Sequence, residues 1–223
     1  MRTVLKLISR NALMCKIDLK DASFSVPIHR NHRKFLRFYV KGNLFEFTYL
    51  PFGLSTSPHS FTKVMKPVMS HLRSKGFISS IFLDNILCIA SSTEECLSQA
   101  IETTAFLSSL GFIINEQKNC FILSNRTEYL GFIVDSEKFC LKIPESKKVT
   151  ISNLLSSLQS GTSCSITTFS RLIGSLISIC PATAYGTLYT NELERVKQSN
   201  FIINEGDFDQ LMTIARSLQS DLD

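Results

Sequence analysis

The chain has 223 residues, a formal net charge of +5, and 44% hydrophobic against 19% charged residues, the balance of a globular chain and not of a disordered one. The charge is uneven: residues 1–80 hold 14 Lys/Arg against 3 Asp/Glu, residues 81–223 hold 10 against 16, and a basic front half points to an anionic partner. The length suits one large domain or two small ones, no apolar run approaches the ~18 residues of a membrane span, and seven scattered cysteines without a Cys-x-x-Cys pair argue against a disulfide scaffold and for a reducing, intracellular setting in cytoplasm or nucleus.

The first 17 residues are basic, acid-free and amphipathic like a transit peptide, but they run into the first apolar strand without a break. Met14–Leu19 reads as a short buried strand containing Asp18. Residues 34–49 alternate apolar and polar around Lys41-Gly42-Asn43, a hairpin signal. Phe35, Phe38, Phe45 and Phe47 interleave with Lys34, Arg37 and Lys41, a pattern able to stack on bases, but alternation favours turning some of these rings toward the core. Ser57-Pro58 opens a helix in which serine caps free N–H groups. Phe61, Val64, Met65, Val68 and Leu72 form its buried stripe, Pro67 kinks it and Gly76 closes it. Ile78–Leu83 and Ile86–Ala90 are strands joined by Asp84-Asn85. Ser92-x-x-Glu95 is a capping box for a helix running to Leu110. Phe112–Ile114, Phe121–Leu123 and Tyr129–Val134 are further strands. The resulting order fits an α+β domain with a ferredoxin-like split βαβ sheet over residues 1–143. Two helical segments, Glu145–Gln159 and Thr167–Ile179, define a helical region over 144–223 that ends in an acidic tail.

Two acids stand out. Asp18 lies at the end of one apolar strand and Asp84 at the tip of a hairpin in another apolar segment, and a split βαβ sheet can make those strands neighbours. Facing carboxylates repel unless cations lie between them, and a pair of divalent ions clamps phosphoryl transfer. By spacing alone the bland reading, a loop acid and a turn acid, remains the stronger. His29 and His32 lack a cysteine pair nearby and read as solvated loop residues. Lys63, Lys66, His71, Arg73 and Lys75 make one helix basic, which next to a nucleic-acid channel reads as a phosphate-contacting surface.

The strings DLKDASFSVPIH (18–29), KFLRF (34–38), YLPFGLSTSPHSFTKVM (49–65), FLDNILCIA (82–90), GFIINEQKNC (111–120) and EYLGFIV (128–134) occur in this order. Together they resemble the palm of a reverse transcriptase, an RNA-directed DNA polymerase, of the DIRS and gypsy retrotransposon types. The resemblance implies a palm with a remnant of fingers at residues 28–50, followed by a small helical thumb or connection region. It implies that Asp18, Leu19 and Asp84 hold Mg²⁺ (or Mn²⁺), and that Asp18, Asp84, Asn85 and Lys118 serve the chemistry. Leu19, Lys20, Asp21, Ala22, Ser23, Pro51, Phe52 and Gly53 would then meet the incoming dNTP. Arg37, Lys63, Lys66 and Arg73, with the primer-grip residues Tyr129, Leu130 and Gly131, would meet an RNA or DNA template-primer. No membrane partner is implied.

Three departures from that pattern predict impaired activity. Asn85 stands where the family has a second aspartate, Ser23 where it has an aromatic gate against ribonucleotides, and 17 residues before Asp18 leave little room for fingers. The resemblance therefore leads to two expectations: an impaired, truncated polymerase, or an inactive nucleic-acid-binding remnant. An RRM-type module is disfavoured because no RNP-like aromatic string occurs on a central strand.

Overall fold

The structure, a computed structural model, describes residues 2–116, 120–159 and 163–213. In chain order the elements begin with helix α1 (Arg2–Leu7), strand β1 (Leu13–Lys20), the single turn α2 (Arg30–Arg33), the strand pair β2 (Arg37–Val40) and β3 (Asn43–Glu46), and the long helix α3 (Ser57–Ser74). Strands β4 (Ile78–Phe82) and β5 (Asn85–Ala90) lead into helix α4 (Thr93–Ser109), then β6 (Ile113–Ile114), β7 (Cys120–Ser124), β8 (Arg126–Tyr129), β9 (Phe132–Asp135) and β10 (Cys140–Lys142). Helices α5 (Glu145–Gln159), α6 (Ile166–Ile179) and α7 (Gly186–Ile203) come next, with two short strands, β11 (Ser163–Ser165) and β12 (Leu211–Thr213). The described residues form two compact units, residues 2–116, 120–130 and 134–139, and residues 131–133, 140–159 and 163–213. The chain crosses from one to the other along β8, β9 and β10.

The first unit is a mixed α/β fold on a sheet ordered β4-β5-β1-β6, with β7 also paired to β1, all antiparallel. β1 is central, and its near-continuous apolar run Leu13–Leu19 reflects burial on both faces. In the β1–β5 register Cys15 faces Cys88 and Ile17 faces Ile86. These residues join Phe61, Met65, Met69 and Leu72 of α3 and Ala100 and Leu107 of α4 in one core, so both helices cover the same face. Strand alternation puts Met14, Lys16 and Asp18 on the other face, with Leu87 and Asn85 beside them. The second unit packs α6 against α5 and α7 around Phe169, Leu172, Ile173 and Leu193. Ser165 caps α6 by accepting from the Thr168 N–H at 3.2 Å, and β11 pairs with β12.

Several local expectations change in the structure. Ser57 does not cap α3: its hydroxyl donates to the buried Pro51 carbonyl at 2.7 Å, and Thr56 is the capping position without a side-chain bond. The buried stripe of α3 is Phe61, Met65, Met69 and Leu72, while Val64 is 39% exposed; the helix continues through Pro67 to Ser74. The connection between β4 and β5 is Leu83-Asp84, with Leu83 at φ +53, so Asn85 is the first residue of β5 and not part of the turn. Residues 129–134 are not one strand but the two arms of a hairpin turning at Leu130-Gly131, both at positive φ. The β2–β3 rings do not enter the core. All eight residues of that pair are exposed, and Phe38 lies against Phe45 and Phe47 at 5.8 and 4.8 Å between centroids. The capping box holds: Ser92 accepts from the Glu95 N–H, and Glu95 reaches back to Ser91 N–H instead of to Ser92.

The altered stripe gives a direct test. Met69→Ala should cost about 2–5 kcal/mol in denaturant unfolding, whereas Val64→Ala should stay within about 0.5 kcal/mol. Equal losses at the two positions would mean that Val64 is as buried as Met69, against the stripe described.

Candidate active site

Asp18 lies in β1, 4% exposed, and in the antiparallel register its ladder partner is Asn85. Directly opposed residues of such a pair carry Cβ atoms about 4.5–5.5 Å apart, so residue 85 is the side chain set against Asp18. The Leu83-Asp84 turn is tied to β1 by the Leu19 N–H, which donates to the Asp84 carbonyl at 2.9 Å. Both acids take an asparagine amide: Asn85 Nδ2 donates to Asp84 Oδ1 at 2.9 Å, and Asn115 Nδ2 donates to Asp18 Oδ1 at 3.2 Å. Asn115, just after β6, was not singled out by sequence reasoning. Its only signal was a polar residue directly after the apolar pair Ile113-Ile114, within the string GFIINEQKNC.

The hairpin has a prop on its strand side. Tyr129 is fully buried, and its hydroxyl lies 3.3 Å from the Ser80 carbonyl and 3.2 Å from the Asn85 carbonyl. Burial pushes this phenol up to about 12, with the Ser80 side chain acting against the shift and Cys88 adding to it. Tyr129 thus faces inward, and Leu130 and Gly131 are the half-buried residues of the turn. Cys88 is likewise pushed up to about 12, by burial first and then by Cys15 and Cys96, which keeps it a packed thiol and not a nucleophile.

A cavity of about 380 Å³ brings Ala22, Ser23, Phe52 and Gly53 together with Leu83 and Asp84. Pro51, next in the chain to Phe52, is buried and fixed by Ser57. Gly53 takes φ +85, a conformation that a side chain would strain, and Phe52 packs edge-on against Phe24 at 5.1 Å. The Ser23 hydroxyl is buried without a hydrogen-bond partner. Asp18, Leu19, Lys20 and Asp21 are not among the residues lining this cavity. A second cavity of about 340 Å³ lies between α3 and β4, with Lys66 and Arg73 at a wall of Met65, Met69, Ile81 and Phe82. Lys63 is exposed on α3 outside it. Arg37 is paired across its hairpin with Glu46 at 3.1 Å. Lys118 lies outside the described residues.

The donors near the turn are all oxygens: two carboxylates and the amide of Asn85. That chemistry fits a hard divalent ion such as Mg²⁺, which uses one or two carboxylates and draws further ligands from phosphates and water. Among the described residues no group of three or more His, Cys, Asp or Glu side chains is assembled to hold a metal. Two carboxylates are a partial set, which an ion would complete with further oxygen ligands. Among those residues, too, no helix is long and apolar enough to cross a membrane.

Residues 1–134 match the family described as reverse transcriptase (RNA-dependent DNA polymerase). A Gag-Pol polyprotein of walleye dermal sarcoma virus is 30% identical over 139 residues, 61% of this chain and 8% of the relative. The genome polyprotein of petunia vein clearing virus is 25% identical over 129 residues, 58% and 6% of the two chains. The Tf2-7 transposon polyprotein of Schizosaccharomyces pombe is 22% identical over 136 residues, 61% and 10%. The chain thus aligns with a tenth or less of these relatives' length. A foamy viral protease-reverse transcriptase solved with double-stranded DNA superposes with a TM-score of 0.75 at 17% identity, over 99% of this chain and 36% of that one. The same protein solved with an RNA/DNA hybrid gives 0.75 at 16% identity, over 98% and 27%.

The Tyr129 environment predicts an alkaline signature. A phenol whose pKa rises on folding contributes its full stability below the unfolded value of about 10 and loses it as pH climbs through the folded value of about 12. Denaturant midpoints followed from pH 9 to 12 should fall for the unmodified chain and fall less steeply above pH 10 for Tyr129→Phe. Parallel slopes would show that the phenol is not buried as described.

Proposed function

The chain belongs to the reverse transcriptase (RNA-dependent DNA polymerase) family, and on that footing we propose that it is a nucleic-acid-binding retroelement palm whose own nucleotidyl transfer is impaired. The observation that carries this reading is the Asp18–Asn85 ladder pair. The position facing the first acid carries an amide, so the charge drawing a cation between β1 and the β4–β5 turn is one unit weaker. Asp18 and Asp84 would hold a Mg²⁺ or Mn²⁺ ion with Leu19 beside them. Bound there, such an ion neutralises charge on a transferring phosphoryl group and lowers the barrier to attack by a primer 3′-hydroxyl. Because electrostatic stabilisation is usually the largest catalytic term, one missing carboxylate matters more than any change in shape.

The cavity beside Asp84 supports a nucleotide position. Ala22, Ser23 and Gly53 are small lining residues, and the unpartnered Ser23 hydroxyl leaves room and a polar group where an aromatic gate would exclude a 2′-hydroxyl. Lys66 and Arg73 in the α3–β4 groove, with the exposed Lys63, support contact with template-primer phosphates. Those contacts would be sequence-independent and weakened by salt. A 1–143 palm followed by a thumb or connection region over 144–223 is the organisation we assign, in a DIRS- or gypsy-type lineage. The six motifs in order support that lineage, and placement on a tree of retroelement sequences would check it. A second reading, a catalytically inactive nucleic-acid-binding remnant, is favoured by the neutral side chain that the ladder sets against Asp18.

Primer extension on an RNA template, in Mg²⁺ and in Mn²⁺, separates the two. Asn85→Asp should raise the rate by about 10²–10³-fold, and Asp18→Ala should abolish it in either background. A rate for the unmodified chain equal to that of Asn85→Asp would remove the impairment. Binding of a labelled primer-template measured across salt concentrations tests the surface separately. Lys66→Ala and Arg73→Ala should each weaken binding uniformly across sequences and reduce the salt slope by about 1; unchanged slopes would take this groove out of the nucleic-acid path.

A further inference from the structure

Asn115 is the residue that the site contains and the family pattern of acids does not use. It comes directly after β6, is half-buried, and lies 97 residues from Asp18 in sequence. β6 pairs with the end of β1 through Leu19–Ile114 and Lys20–Ile113. Asn115 extends that ladder by one step, its backbone N–H donating to the Asp18 carbonyl at 2.9 Å. The side chain then reaches the same residue again, Nδ2 donating to Asp18 Oδ1 at 3.2 Å. One asparagine therefore holds both the backbone and the carboxylate of Asp18, from the side of β1 opposite to β5.

Resting on the reading of Asp18 as an ion-holding acid, we propose that Asn115 is a positioning residue: its amide fixes the orientation in which Asp18 presents its carboxylate to a divalent cation. The torsion that turns an aspartate carboxylate is broad and shallow, and ordering it in advance removes a cost from ion binding. A neutral donor suits the task. Lysine or arginine at 115 would compete with the cation for the same negative charge, and an acid there would repel Asp18. Asn85 directs its amide to Asp84, so the two acids are held by two different asparagines, one on each side of β1. The backbone bond from Asn115 survives any side-chain substitution, which separates the local fold from the orientation of the carboxylate.

Mn²⁺ binding to the full chain, followed by electron paramagnetic resonance of the free ion alongside the melting temperature, tests this without reference to catalysis. The measurement is made in the unmodified and the Asn85→Asp backgrounds, the latter supplying a second facing acid. Asp18→Ala should remove the saturable site. Asn115→Ala, and the similarly sized Asn115→Leu, should weaken Mn²⁺ about 10–100-fold, the usual effect of losing a group that orients a ligand, at temperatures well below melting. If both Asn115 variants melt lower yet bind Mn²⁺ as the unmodified chain does, Asn115 is structural only and the positioning role is wrong. If Asp18→Ala keeps the affinity, or neither background binds Mn²⁺, the reading of Asp18 itself fails and this inference falls with it.

Discussion

The pairing of β1 with β5 is the constraint on which the site depends. β1 is packed on both faces and hydrogen-bonded along both edges, to β5 on one side and to β6 and β7 on the other. A slip of one residue in such a ladder would turn every side chain to the wrong face. Ile17 against Ile86 and Cys15 against Cys88 would leave the core shared with α3 and α4, while Lys16 and Asp18 would enter it. The apolar residues therefore dictate that position 85 stands against Asp18. The electrostatic capacity of the site is then set by the identity of one residue, and in this chain that residue is neutral.

Neutrality at 85 acts on folding and on the attraction of a cation in opposite directions. Two acids set across a ladder, beside a third in the turn, repel strongly when no cation is present. An amide relieves that repulsion and adds a hydrogen bond to Asp84. The same change removes part of the field that would attract an ion. Sites are commonly the places where a fold carries electrostatic strain for the sake of activity, and here the strain has been relaxed. The surrounding frame is nevertheless kept: Tyr129 binds one carbonyl on each strand of the β4–β5 hairpin, Leu19 binds the turn, and Gly53 has a left-handed backbone. The shape around Asp18 and Asp84 is thus set by contacts that do not depend on a charge at position 85.

How much of this was legible in the sequence depended on the range of each interaction. Helix limits set by local chemistry were readable: Gly76 and Gly111, the Ser92 capping box and the bounds of α5 all lie where short-range signals put them. Properties fixed by distant partners were not. Ser57 looked like a cap because the Pro51 carbonyl, its real partner, is placed by the fold. Met69 displaced Val64 in the buried stripe because the sheet decides which side of α3 is covered. The β2–β3 rings alternate like core residues, yet the strand pair stays exposed, with Phe38 packing on Phe45 and Phe47 and not on the core. At the site, the two acids were visible as polar residues in apolar strands, but Asn115 acquires meaning only through a contact spanning most of the first unit.

The charge asymmetry can now be apportioned. Residues 1–80 carry a surplus of eleven positive charges, but the surplus is not all available to an anionic partner. Arg37 is paired with Glu46, and Lys75 is held by Glu102. Exposed pairs of this kind contribute at most about 1 kcal/mol, so a phosphate could displace the acid from either, with the pair's modest energy offsetting part of the gain. Lys66 and Arg73 differ because they share one groove, where an apolar wall keeps solvent from one side and strengthens the field. Electrostatic affinity for nucleic acid should therefore be concentrated along α3 and not spread over the basic half. That arrangement suits the sequence-independent phosphate contacts proposed above, and it does not depend on the side chain at Asn85.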